Sequence, residues 1–267
     1  MKIVCLKGGL GNQMFEYCRY RLLSENQRNG NVYLFRDIRR LKQHNHLSIF
    51  DCFDLPVPKQ AMWISWLVYG MKALRELHFF PRLYDDERDD CILIDDYSQD
   101  KRFIQNAKEL FHFKTISSEQ TQKYLSEIQS SAFPVAIHIR RGDYLNPINM
   151  KNIGLCSPEY YQQAISLIKK RYPAAQFYIF SDDLEWTKKH ILAESAIYVH
   201  HEESDPDYVD LYLMTHCKAH IIANSTFSFW GSWLADHQEH LCIYPCKWYQ
   251  NPNWVTPDIF PEHWISI

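Results

Sequence analysis

The sequence predicts a two-domain α/β protein with parallel sheet flanked by helices on both faces. Three observations carry the prediction. Short apolar runs alternate with segments of helical periodicity over most of the chain, the pattern of strand–helix–strand units. Several of these runs end in a polar or glycine-containing turn, at the level where such sheets bind ligands. The texture also becomes more regular near residue 131, which separates a domain of residues 1–130 from one of residues 131–267.

The first strand is read at residues 2–6, where Ile3-Val4-Cys5-Leu6 is continuously apolar. Gly8 to Gln13 then turns into a helix expected from about Met14 to Asn29. Val32-Tyr33-Leu34-Phe35 reads as the next strand. Residues 36–130 mix helical periodicity with a strand near Cys91-Ile92-Leu93-Ile94 and an acidic stretch from Asp85 to Asp96. After that, Pro134-Val135-Ala136-Ile137 is a buried strand, 158–171 a helix and 176–180 a strand. A helix at 184–190, a strand at 197–199 and a helix at 209–217 follow. A strand at 220–223, a helix at 227–236 and a strand at 241–244 close the series.

Composition narrows the function classes. With 46% hydrophobic and 23% charged residues, the 267-residue chain has the make-up of an ordinary folded protein. A net charge of −3 argues against nucleic acid as a partner, because such partners call for a broad basic surface. The eight cysteines are scattered without a CxxC pair, so neither a disulfide framework nor a zinc site is expected. The first residues run straight into a strand and hold no signal-peptide core, so a cytoplasmic location is expected. Residues 61–69 are apolar but too short to span a bilayer. With Lys72, Arg75 and Arg82 behind them, they read either as a core helix or as one lying on the inner face of a membrane.

Four polar clusters fall just after strands: Gly9-Leu10-Gly11-Asn12-Gln13, His138 to Tyr144, Ser181-Asp182-Asp183, and Asn224-Ser225-Thr226-Phe227-Ser228. Each alone reads as a turn or a helix cap. Together they outline a site. Arg140 and Arg141 follow a buried strand, where a guanidinium needs an anionic partner and its planar fork suits phosphate oxygens. Asp143 is placed either to brace an arginine or to take part in chemistry. The 224–228 turn offers free backbone N–H groups and a helix N-terminus to an anion. A diphosphate-bearing substrate fits this set. The glycine loop is neither a Walker A element nor a complete GxGxxG.

These clusters, in this order, resemble the bacterial α-1,2-fucosyltransferases of glycosyltransferase family 11. The resemblance covers nearly the whole chain: Gly8-Gly9-Leu10-Gly11-Asn12-Gln13-Met14-Phe15, the HxRRGDY signature at 138–144, FSDDxxW at 180–186, and the third motif at 222–231. Phe229 stands where the family has a second Trp; the ring is kept, and no functional consequence is expected. The resemblance implies a GT-B fold, two Rossmann-like domains facing across a cleft, with GDP-fucose on the C-terminal domain. It implies inverting transfer to O2 of a terminal galactose, as in surface polysaccharide synthesis, with no cofactor and no metal. The acceptor would be a galactose-terminated oligosaccharide, with a lipid-linked one giving membrane contact a use. Arg140 would grip the β-phosphate, with Arg141 beside it. Asp182 or Asp183 would read guanine, and His138 would meet the nucleotide. Gly9, Gly11, Ser181, Asn224, Ser225, Thr226, Phe227 and Ser228 would complete the donor site. Asp143, Asn12 and His138 are the candidate bases. Asp205-Pro206-Asp207 is formally the DxD of another glycosyltransferase class, but it reads as a helix entry. The alternative reading is a non-catalytic nucleotide- or glycan-binding module on the same fold.

Overall fold

The computed structural model describes the chain except residues 27–30, 38–46, 59–60, 78–90, 202–204, 206–207, 236 and 238–239. Residues 85–90 of the acidic stretch, Arg82, and Pro206 and Asp207 of Asp205-Pro206-Asp207 therefore lie outside the described residues. The chain divides into two units, Met1–Lys114 and Thr115–Ile267. Helix Glu119–Ser130 goes with the second unit, ahead of the change of texture at 131. It packs on the helix Val209–Thr215, and the hydroxyl of its Tyr124 accepts from the backbone N–H of His200 (3.2 Å).

The first unit holds a three-stranded parallel sheet. Its strands are β1 (Lys2–Leu6), β2 (Val32–Arg36) and β3 (Leu93–Ile94), in the order β2-β1-β3. Helix α1 (Leu10–Asn26) begins four residues earlier than expected. Gly8 explains this: its φ of +74° turns the chain so sharply that Gly9 already accepts from the N–H of Asn12. After α2 (Ile49–Cys52), α3 (Met62–Glu76) packs Ile64, Val68 and Met71 against Ile3, Cys5, Phe35 and Leu93. The short helix α4 (Ala107–Leu110) completes this unit.

α3 resolves the two readings of its segment in a mixed way. Only its inner stripe is core. Trp66 is 79% exposed, Met62 and Leu77 are also exposed, and Trp63 lies edge-on to Tyr33. Lys72, however, turns inward to Asp37 (2.8 Å), and Arg75 reaches Asp95 (3.6 Å). The apolar face is there, while these two cations are engaged with the protein's own carboxylates. Among the described residues no helix is long and apolar enough to cross a membrane.

The second unit begins with α5 (Glu119–Ser130) and contains a six-stranded, fully parallel sheet. The strands are β4 (Phe133–Ile139), β5 (Ala175–Ser181), β6 (Ile197–Tyr198), β7 (Ala219–Ile221), β8 (Leu241–Tyr244) and β9 (Ile265–Ser266), in the order β6-β5-β4-β7-β8-β9. The connecting helices are α6 (Pro147–Asn152), α7 (Pro158–Arg171), α8 (Leu184–His190), α9 (Val209–Thr215) and α10 (Thr226–Trp233). α7 shows why the sequence folds this way locally. Ser157 caps it, Pro158 sits at its first position, Glu159 occupies the first turn and Lys169, Lys170 and Arg171 the last, all in accord with the helix dipole. Its Tyr160, Tyr161, Ala164, Ile165 and Ile168 pack on Val135, Ile137, Ile139, Phe177 and Ile179.

The strand order positions the site. From β4 the chain moves outward through β5 and β6, then returns to the other side of β4 with β7, β8 and β9. The reversal lies between β4 and β7. Open parallel sheets leave a crevice outside the strand ends at such a switch point.

Candidate active site

Three of the four clusters converge at this switch point. The turn after β4 carries Arg140 to Tyr144, the turn after β5 carries Ser181 to Asp183, and the turn after β7 leads from Asn224 into α10. Side chains alternate along β4, so Ile137 and Ile139 face the α7 layer while His138 points to the other side. There its ring lies 5.5 Å from that of Phe227.

The charged groups form a chain of pairs. Arg140 places Nη1 2.9 Å from Asp182 and Nη2 2.8 Å from Asp143. The other oxygen of Asp182 accepts from the backbone N–H of Arg141 (2.8 Å). The guanidinium of Arg141 stacks 3.7 Å above the ring of Trp186, and its Nε donates to Asp183 (3.0 Å). Asp183 in turn caps α8 by accepting from the N–H of Trp186 (3.1 Å), and Arg141 holds its carboxyl below the usual range. Ser181 Oγ accepts from the N–H of Asp183 (3.0 Å), which fixes the turn. Gly142 is required here, because a Cβ would fall 2.7 Å from the Asp182 carboxylate. Three carboxylates thus surround two guanidinium groups at a strand end, with Arg140 a third exposed and Asp143 43% exposed.

Tyr144 ties this turn to the next: its hydroxyl donates to the carbonyl of Asn224 (3.1 Å). The side chain of Asn224 donates to the carbonyls of Ile153 and Trp248 (3.1 Å each), so it holds loops rather than facing outward. Ser228 is fully buried, and its hydroxyl is directed to the carbonyls of Ala223 and Ser225. Ser225 caps α10 without a side-chain bond to it, and Thr226 and Phe227 form the half-buried entrance of that helix. Phe229 is buried, stacked on Trp233 and edged by Trp264, so the substituted position is an aromatic core position.

His138 is 5% exposed and its Nδ1 has no hydrogen-bond partner. Burial pulls its pKa down to about 4, with Asp182 opposing and Arg140 assisting. The ring is therefore neutral at physiological pH. Its carbonyl is taken by the Tyr161 hydroxyl (3.3 Å).

The fourth cluster lies in the first unit. Gly9 and Gly11 belong to the loop and first turn of α1, and Asn12 accepts from the side chain of Gln99 (3.0 Å). Gln13 is fully buried and bridges the carbonyls of Gly8 and Leu47. Asp205 places its buried carboxylate 3.9 Å from His201. Among the described residues no group of three or more His, Cys, Asp or Glu is arranged to hold a metal ion. Sequence reasoning gave Trp186 and Tyr144 no role. The signal for Trp186 was its place three residues after Asp183, one helical turn on, where its ring meets the arginine that Asp183 holds.

Residues 1–267 match the family model described as glycosyl transferase family 11. The chain belongs to glycosyltransferase family 11. This glycosyltransferase is similar to an alpha-1,2-colitosyltransferase of Escherichia coli, with 30% identity covering 98% of this chain and 97% of the relative. It is similar to the O-antigen biosynthesis glycosyltransferase WbnK of Escherichia coli at 28% identity, covering 98% and 99% of the two chains. The human galactoside alpha-(1,2)-fucosyltransferase 1 is 26% identical over 85% of this chain and 64% of its own. Among solved structures, the alpha-1,6-fucosyltransferase NodZ soaked with GDP-fucose superposes with a TM-score of 0.53, at 14% identity and over 87% of this chain and 91% of that one. That likeness bears out the expected GT-B type of fold.

Proposed function

We propose that the protein transfers L-fucose from GDP-fucose to O2 of a terminal β-galactoside, with inversion and without a metal ion, in the assembly of an O-antigen-type surface polysaccharide. The observation that carries this reading is the Arg140 guanidinium at the switch point of a parallel sheet, held beside the exposed carboxylate of Asp143. The names of the family 11 relatives support the sugar and the linkage.

The chemistry divides among the residues as follows. Arg140 takes the β-phosphate by a charge-assisted bidentate pair, and the N-terminus of α10 faces the same anion. Arg141, held by Asp183 and Trp186, sets the rim around it. Asp182 or Asp183 accepts from the N1–H and N2–H₂ edge of guanine. As the galactose O2 attacks C1 of fucose, the C1–O bond to the diphosphate breaks and its electron pair leaves with GDP. Charge grows on that leaving oxygen, and preorganised donors stabilise it most in the transition state. The O2 proton passes to Asp143. Of the three candidate bases it is the exposed carboxylate; Asn12 carries an amide with no useful basicity, and His138 is buried. Gly9, Gly11 and Asn12 belong to the acceptor side of this scheme.

The test is a product assay with GDP-fucose and a β-galactoside, in EDTA. A fucosylated product with an α-1,2 linkage by NMR is expected. GDP release that ignores the galactoside, a different linkage, or activity that returns only with added metal would sink the reading. The colitosyltransferase relative favours a second donor. Colitose is fucose without its 3-hydroxyl, and parallel assays with the two GDP sugars separate them.

The acceptor in this scheme is lipid-linked, and the exposed face of α3 rests on the membrane that carries it. Because Lys72 and Arg75 are engaged inward, flotation with neutral and with anionic vesicles should give similar binding, and Trp66→Ser should weaken both. Absence from both vesicle fractions would remove the membrane contact.

A further inference from the structure

We infer that Asp143 occupies the diphosphate position on Arg140 until the donor arrives, so that the nucleotide sugar displaces it and thereby frees the base. The inference rests on the donor reading above and adds an order of events to it.

Both terminal nitrogens of Arg140 are already turned onto carboxylates, at 2.9 Å for Asp182 and 2.8 Å for Asp143. A phosphate gripped by the fork must replace one of them. Asp182 is fixed from two sides, because one of its oxygens accepts from the N–H of Arg141 while the other meets Arg140. Asp143 is the loose one. It lies on a single 3₁₀ turn, Gly142–Leu145, and its carboxylate is the most exposed of the three. The backbone around it is anchored by Tyr144 to Asn224 and by Asn149, whose amide donates to the Asp143 carbonyl (2.8 Å). The side chain can therefore swing while the turn stays.

The energetics favour the exchange. A half-exposed ion pair is weak, and a diphosphate brings more negative charge to the freed nitrogen than a single carboxylate does. The arriving diphosphate also repels the displaced carboxylate. Before donor binding, Oδ1 of Asp143 is turned onto Arg140. Afterwards it is open. An acceptor that arrives before the nucleotide therefore meets a base still paired with Arg140.

Calorimetric titration with GDP and with guanosine decides the matter. Asp143→Asn should bind GDP roughly tenfold more tightly than wild type, since a competing and repelling charge is gone, while guanosine affinity stays the same. Asp182→Asn should weaken GDP, because it loosens the arginine itself. If Asp143→Asn bound GDP no more tightly, or if guanosine gained by the same factor, the inference would be overturned. Failure of the wild type to bind GDP would instead remove the donor reading, and the placeholder with it.

Discussion

The two sheets share a topology and differ in what their carboxyl ends hold. In each, the first strand lies between the second and a later one, so a switch point opens beside it. In the first unit, Lys7, Asp37 and Asp95 follow the three strands and close on one another. Lys7 binds both the carboxylate (2.9 Å) and the carbonyl of Asp95, and Lys72 bridges Asp37 and Asp95. The side chains of Lys7 and Asp95 are 6% and 5% exposed. In the second unit the pairs of Arg140 stay open to solvent, with Arg140 33% and Asp182 26% exposed. The same types of charge thus do opposite things. Where the set is sealed, it is bound to itself and fixes the fold; where it is open, its cations can exchange one anion for another.

Breaking the open set should cost function and little stability. Arg140→Ala should lower transfer by at least about a thousandfold, since in the proposed scheme it removes the charge-assisted grip on the leaving group. Arg140→Lys should recover little, because a point charge does not reproduce the fork. The melting temperature should move by no more than a few degrees. Wild-type turnover in the alanine variant would show that another group neutralises the diphosphate.

The sealed set should behave in the reverse way. Asp95→Ala leaves Lys7 buried without its carboxylate and should cost on the order of 3–5 kcal/mol of stability. GDP affinity of the folded fraction should be unchanged. If urea titration showed a loss below about 1 kcal/mol, the rim of the first sheet would be softer than its burial implies.

This contrast explains what the sequence could and could not reveal. The strands from β4 to β8 were legible because each is an apolar run closed by a turn, and α7 and α8 carried both caps and end charges. The three clusters of the second unit were legible because their residue types are unusual at strand ends. Their roles were less so. Nothing local marks Tyr144 as the tie to Asn224, 80 positions on, and the one-turn spacing from Asp183 to Trp186 gains meaning only when Arg141 is seen to reach both. The sealed set was missed altogether: Lys7, Asp37, Lys72 and Asp95 are scattered single charges until the fold brings them together. The two-residue β9 is too short to show a period, whereas β3, equally short, lies in the apolar run at 91–94 that reads as a strand.

Acidity should separate the two units by sign. In the second, burial lowers the pKa of His138 from 6.5 to about 4, and burial with the neighbouring His240 lowers His220 well below 6.5. The unfolded chain then binds more protons between those values. The stability these groups contribute is complete above about 6.5 and is lost as pH falls toward the folded values, at about 1.4 kcal/mol per pH unit for each group. In the first unit, burial raises Glu16 well above 4.5, against the N–H bond from Lys7. Its contribution is complete below about 4.5 and declines as pH rises toward the folded value. Hydrogen exchange read peptide by peptide from pH 5 to 8 should therefore show opposite slopes in the two units. Glu16→Gln should flatten one slope, and His138→Gln should reduce the other to the share that His220 carries; parallel slopes in the wild type would break the comparison.

The smallest effect expected lies within the open set, between neighbouring aspartates. Asp182 carries Arg140 and the backbone of Arg141, whereas Asp183 carries the guanidinium of Arg141 and the cap of α8. Removing the charge of Asp183 should leave most of the cap, because an asparagine oxygen still accepts from the N–H of Trp186, and the partly buried Arg141 keeps its stacking on Trp186. Asp183→Asn should thus cost less than about 1 kcal/mol of stability, and Asp183→Ala roughly that amount, with the helix start fraying first. Asp182→Asn should leave stability nearly unchanged and weaken GDP, because the arginine it holds is then free to turn away. Whichever of the two reads the guanine edge should in addition lose the preference for GDP over ADP, by a factor that a competition assay resolves. Equal small losses in both variants would place guanine recognition elsewhere and reduce Asp182 and Asp183 to the framework of the arginines.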